Sequence, residues 1–155
     1  MKALVVLAAI LSLTPAFEMQ AYEVLDEQAL TECYAADKIE RLKAQQKYVD
    51  EAIKPELAAL FQELQGMRNT QAFRELGFSG NNRPAAEWKA RVEQCRARLA
   101  ADENVPVQVK ALPGALLSLG LAWVRHDDSD SMVQWHLEQV NSGLDWYFGT
   151  VCLDE

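Results

Sequence analysis

The sequence predicts an all-α protein, a small bundle of four or five helices following a cleaved N-terminal signal peptide. Three observations predict it. Apolar residues recur at spacings of three and four through most of the chain, the period of a helix with one buried face. The N-terminus opens on a single cation and then an apolar run. The one stretch that alternates like a strand, Val105-Pro-Val-Gln-Val109, is short, contains Pro106 and has no evident partner strand. It reads as an extended linker.

Met1-Lys2 followed by Ala3 to Leu13 has the cationic and apolar regions of a secretory signal. Small residues at Thr14 and Ala16 suit a cleavage site after Ala16, and Ala21 offers a second. The apolar run is too short for a membrane span, which needs roughly 20 residues, and Pro15 and Glu18 interrupt it. No cysteine follows the run directly, so a lipid anchor is not expected. Residues 1–21 are thus read as the signal and 22–155 as a single helical domain, exported to the periplasm or secreted. Leu112 to Val124 is the most apolar later segment. It contains Pro113, Gly114 and Gly120 and reads as a buried core helix rather than a span.

Along that domain, Asp26 is a plausible N-cap for a long helical stretch to Gly66. Ala35, Ile39, Leu42, Gln46, Val49, Ile53, Leu57, Leu60 and Leu64 form its stripe. Leu30, Cys33 and Tyr34 fall on another face, and Pro55 predicts a kink or break. Asn69 or Thr70 caps a short helix stopped by Gly77. Pro84 opens a third helix whose apolar positions are Trp88, Val92, Cys95 and Leu99. Leu116 to Val124, apolar nearly all round, is the expected centre of the bundle. The Asp127-Asp-Ser-Asp-Ser131 turn leads into a fifth helix with Val133, Leu137, Val140, Leu144, Tyr147 and Val151 on its inner stripe.

Charge and motifs exclude more than they assign. The formal net charge is −8, and cleavage after Ala16, which removes only the charge of Lys2, gives −8 − 1 = −9 for the mature chain. Nucleic acid and anionic lipid both need clustered Lys and Arg, so neither is an expected partner. A protein with a basic surface fits better. Cys33, Cys95 and Cys152 are an odd set in an oxidising compartment, where one disulfide and one leftover thiol is the simplest arrangement. Cys95, on an apolar stripe, is expected to be bonded, with Cys33 the favoured partner and Cys152 the alternative. The sequence carries no Cys-x-x-Cys-His haem-attachment motif, and no local signature marks a nucleophilic cysteine. No cofactor is expected.

The sequence carries two resemblances. Cys33 with Ala36-Asp37, followed by Trp88-Lys-Ala-Arg91-Val-Glu-Gln-Cys95, resembles exported lysozyme-inhibitor domains of the LprI type, over residues 28–99 at most. That likeness implies an exported inhibitor, although the spacings differ. Leu25-Asp-Glu-Gln28 at the head of a charged helix looks like periplasmic Spy-type helical chaperones, whose Leu-Thr-x-x-Gln motif this chain lacks.

The favoured function is a non-enzymatic binding protein acting through an acidic helical surface. Trp135 and Trp146, 11 residues apart on the fifth helix and off its inner stripe, are candidate contact residues beside Asp127, Asp128 and Asp130. The alternative is an enzyme or a metal- or cofactor-binding bundle using His126, His136 and nearby carboxylates. His126 lacks a second histidine at helical spacing, and an interhelical turn with Asp or Ser capping the next helix explains the same residues.

Overall fold

The computed structural model describes residues 27–147 of the 155. The signal segment, the expected Asp26 cap, Val151 and Cys152 lie outside the described residues. Eight helical segments run in chain order: α1 (Glu27–Cys33), α2 (Ala36–Tyr48), α3 (Lys54–Arg68), α4 (Gln71–Leu76), α5 (Arg83–Ala101), α6 (Val107–Lys110), α7 (Leu112–Arg125) and α8 (Ser131–Leu144). A π-helical stretch, Val49–Ile53, joins α2 to α3, and α6 runs into α7 at Ala111. This leaves six continuous helical units, and no strand, among the described residues. The all-α expectation stands, and the unit count exceeds the expected four or five.

The extra unit comes from the first helix, which breaks at Tyr34-Ala35 instead of running unbroken to Pro55. Ala35 is extended at the head of α2. Pro55 then sits in the first turn of α3, where its missing N–H costs nothing. The backbone adjusts just upstream, and Lys54 N–H donates to the Val49 carbonyl, closing the wider ring of a π turn. Along the expected stripe Ile39, Val49, Ile53, Leu57, Leu60 and Leu64 are buried, Leu42 and Gln46 are half-buried, and Ala35, extended ahead of α2, is exposed.

Thr70 is the cap of α4, its Oγ1 accepting from Phe73 N–H at 3.2 Å. Gly77 ends that helix at φ +56°, a backbone conformation few side chains tolerate, and a Cβ there would lie 3.2 Å from Val124. The following loop is held by Asn82, which is buried and donates to the Gly77 carbonyl at 2.9 Å. The loop delivers Phe78 to the core, where it stacks on Trp88 with ring centres 5.7 Å apart and meets Phe73 edge-on at 5.3 Å. Trp88 is fully buried, and its indole N–H donates to the Leu60 carbonyl of α3 at 2.9 Å. Gly120 of α7 leaves room for this cluster, since a Cβ there would fall 2.7 Å from the Phe78 ring.

Two boundaries differ from expectation. Val107–Lys110 is a helical turn rather than an extended linker, and α7 begins at Leu112 rather than Leu116. Pro113 occupies the first turn of α7, where proline is pre-organised for a helix. Counted with α6, the run Val107–Arg125 reaches 19 residues and is long and apolar enough to cross a membrane by length and composition. This corrects the expectation that no later segment reaches that length. One face of α7, with Leu112, Leu116, Leu119 and Trp123, is buried in the core, while Leu121 and Val124 are exposed on the other.

Cys95 corrects a second expectation. It is a free, buried thiol, so neither the Cys33–Cys95 pair nor the Cys95–Cys152 alternative forms. Its neighbours explain why a thiol persists there. It lies beneath an ion pair between Arg98 of α5 and Glu56 of α3, with the guanidinium 3.7 Å from Sγ. Burial first, then the Glu56 charge, raises its pKa to about 11. The shift from the usual 9.0 cuts the thiolate fraction about a hundredfold at neutral pH. Native protein should therefore react with iodoacetamide at Cys95 at least that much more slowly than unfolded protein does without reductant. Equal rates would contradict the buried-thiol assignment.

Candidate functional site

The turn between α7 and α8 is built by its own aspartates. Asp127 Oδ1 accepts from Ser129 N–H (3.1 Å) and Oγ (2.8 Å), fixing the bend. Asp130 is the N-cap of α8, with Oδ1 accepting from Met132 N–H at 2.8 Å. Its other oxygen lies 3.3 Å from His126 Nδ1. Asp128 pairs with Arg68 of α3 at 2.7 Å, and that guanidinium also sits 4.4 Å over the Trp123 ring. The cap role expected for this cluster is thus met. The three acids are brought together, but each already has a structural task.

From this turn α8 runs with Val133 and Val140 buried, and Leu137 and Leu144 packed at the core's edge. Gly143 admits Leu112 so closely that a Cβ would meet its Cδ2 at 2.0 Å. The inner face being fixed, helical geometry turns positions 132, 135 and 139 outward. Met132 and Trp135 stand three residues apart there, 49% and 54% exposed. The Trp135 ring meets His136 edge-on at 4.9 Å. Met132 is the residue that sequence reasoning missed. It falls one turn before Trp135 on the same helix face, and the inner stripe already implied that placement.

Trp146 does not join them. The helix ends at Leu144, so Trp146 and Tyr147 lie beyond it and the 11-residue spacing has no angular meaning. Trp146 is half-buried against the core instead. Lys54, at the head of α3, holds this end of the chain. It is buried, donates to the Trp146 carbonyl, lies 3.2 Å from Asp50 and sits 3.6 Å from the centre of the Tyr147 ring. Burial lowers the Lys54 pKa, opposed by its hydrogen bond to Asp50, and burial raises that of Asp145 beside it. This is a polar staple joining the end of α8 to the π turn. It was not legible from a lone Lys beside Pro55.

The histidine alternative finds no assembled centre. His126 is tied to Asp130 and His136 to Trp135. Among the described residues, no three His, Cys, Asp or Glu side chains converge in a way that could hold a metal ion. What the fold and the site define is an all-helical protein presenting an aromatic–thioether pair on an outer helix face, beside a rigid acidic turn. No protein-family model, curated protein or solved structure matches the chain.

Proposed function

We propose that the chain is an exported, non-enzymatic binding protein whose contact surface is the outer face of α8, centred on Trp135 and Met132. The single observation that carries this reading is the exposure of Trp135 on a helix whose inner face is already satisfied by the core. Tryptophan is enriched at binding hot spots, and methionine adapts to irregular partner surfaces. Leaving about half an indole in water forgoes on the order of 2–3 kcal/mol of burial, which a partner recovers. The export half of the proposal rests on the N-terminal sequence pattern, and the net charge of −8 favours a partner with a basic surface.

The test reads affinity and stability together. Trp135→Ala should weaken binding of the purified partner by about 2 kcal/mol, roughly thirtyfold in Kd. The melting temperature should stay within about 2 °C, as for other exposed substitutions. A melting temperature that collapses with unchanged affinity would reject the contact role.

A further inference from the structure

The outer face of α8 carries a carboxylate with no structural task. Glu138 is exposed, three residues after Trp135, and among the described residues no cation pairs with it. The helix itself has no lysine or arginine from Ser131 to Leu144. The nearby acids of the turn are committed: Asp127 fixes the bend, Asp128 pairs with Arg68 and Asp130 caps α8. Residues three apart on a helix have Cβ atoms about 5–6 Å apart. Trp135 and Glu138 therefore present an indole and a free carboxylate side by side, with Met132 on the other side of the indole. We infer that this pair is the seat of an arginine of the partner, its guanidinium stacked on Trp135 and its N–H edge on Glu138. The inference rests on the contact role proposed above for α8, and it adds the side chain that α8 recognises.

The chain holds an arginine in this manner elsewhere. The Arg68 guanidinium sits 4.4 Å over the Trp123 ring while its edge reaches Asp128 at 2.7 Å. The two lysines that sit over rings, Lys38 and Lys54, sit over tyrosines. Arginine suits the combination because its planar, weakly hydrated cation can lie flat on an indole and still donate in its own plane to a carboxylate. An ammonium is compact and strongly hydrated, and it gives up more water to reach the same place. A cation within about 6 Å of the ring centre gains the stacking attraction, and the Trp135–Glu138 spacing lets one guanidinium meet both groups. The other occupants fit less well. A purely apolar side chain laid on Trp135 would strip water from Glu138 and return nothing for it. An acidic one would meet a chain of net charge −8. Met132 lies where the methylene stem leaves the ring, and its thioether adapts to that stem.

The test titrates the full-length, isotopically labelled protein with acetyl-triarginine amide and follows the indole N–H signals. Acetyl-trilysine amide has the same charge and controls for general attraction to an acidic protein. The expected result is a saturable shift of the Trp135 signal by triarginine, with binding of trilysine at least about threefold weaker. Glu138→Gln should weaken triarginine about threefold, whereas Glu103→Gln, which removes one charge at another exposed position, should leave its affinity nearly unchanged. Equal affinity for the two peptides, equal shifts at all four indoles, or equal effects of the two substitutions would overturn the arginine assignment. If any of these occurs while Trp135→Ala still weakens binding of the purified partner, the contact role stands and the arginine alone is rejected. If Trp135→Ala leaves the partner's affinity unchanged, the reading beneath the inference falls with it.

Discussion

Replacing Trp88 by alanine is expected to destabilise the protein by about 3–5 kcal/mol, the range for removing a fully buried large aromatic. The side chain is completely enclosed, stacks on Phe78 and bonds the Leu60 carbonyl, so its loss empties the junction of α3, α5 and α7. For a domain of this size the melting temperature should fall by more than about 10 °C. Trp88→Phe separates the contributions. It keeps a ring against Phe78 and gives up the N–H, and should cost closer to about 1–2 kcal/mol. Chemical denaturation of the three proteins measures this, with an unchanged slope showing that the native state and not the unfolded ensemble was altered.

Gly143→Ala should cost about 1–3 kcal/mol or more, although alanine is the better helix former. The added methyl would overlap Leu112 of α7, with Cδ2 at 2.0 Å and Cγ at 2.8 Å. Gly66→Ala is the matched control. It lies within α3 with nothing within 4 Å of its Cβ position, and should stabilise by up to about 1 kcal/mol. Combining Gly143→Ala with Leu112→Ala should cost less than the sum of the two single changes, because the second removes the atoms that the first strikes. Strict additivity would show that α7 and α8 do not meet there.

Residues whose partners lie within one helix were legible in the sequence. The α5 stripe of Trp88, Val92, Cys95 and Leu99 is buried as its spacing required, and Thr70 and Asp130 cap the helices that they precede. What escaped depended on contacts between elements or on phase. The break at Tyr34-Ala35 leaves Ala35 extended rather than on the stripe, and the π turn before Pro55 adds one residue to the helical register that a constant 100° period does not contain. Cys95 was expected to bond because an apolar position seemed a poor home for a thiol. Its actual cover is an ion pair between Arg98 of its own helix and Glu56 of α3, a partner across helices that no local pattern announces. Trp146 was placed on a helix that ends two residues earlier, and its tie to Lys54 spans 92 positions. For the candidate site, Trp135 and the aspartate turn were legible because an exposed aromatic and a capped turn are local features. Met132 was equally local, and was missed by attending to aromatics alone.

The most direct test of the contact role places a photo-crosslinking amino acid at position 135 and, in a second protein, at position 107. Val107 is the stringent comparison, because at 78% exposed it is more open to solvent than Trp135 yet lies on α6 and not on α8. Both proteins should melt at the wild-type temperature. On irradiation with the partner, the account predicts a covalent adduct from position 135 and none from position 107. Adducts from position 107 alone, or equal yields from both, would contradict it.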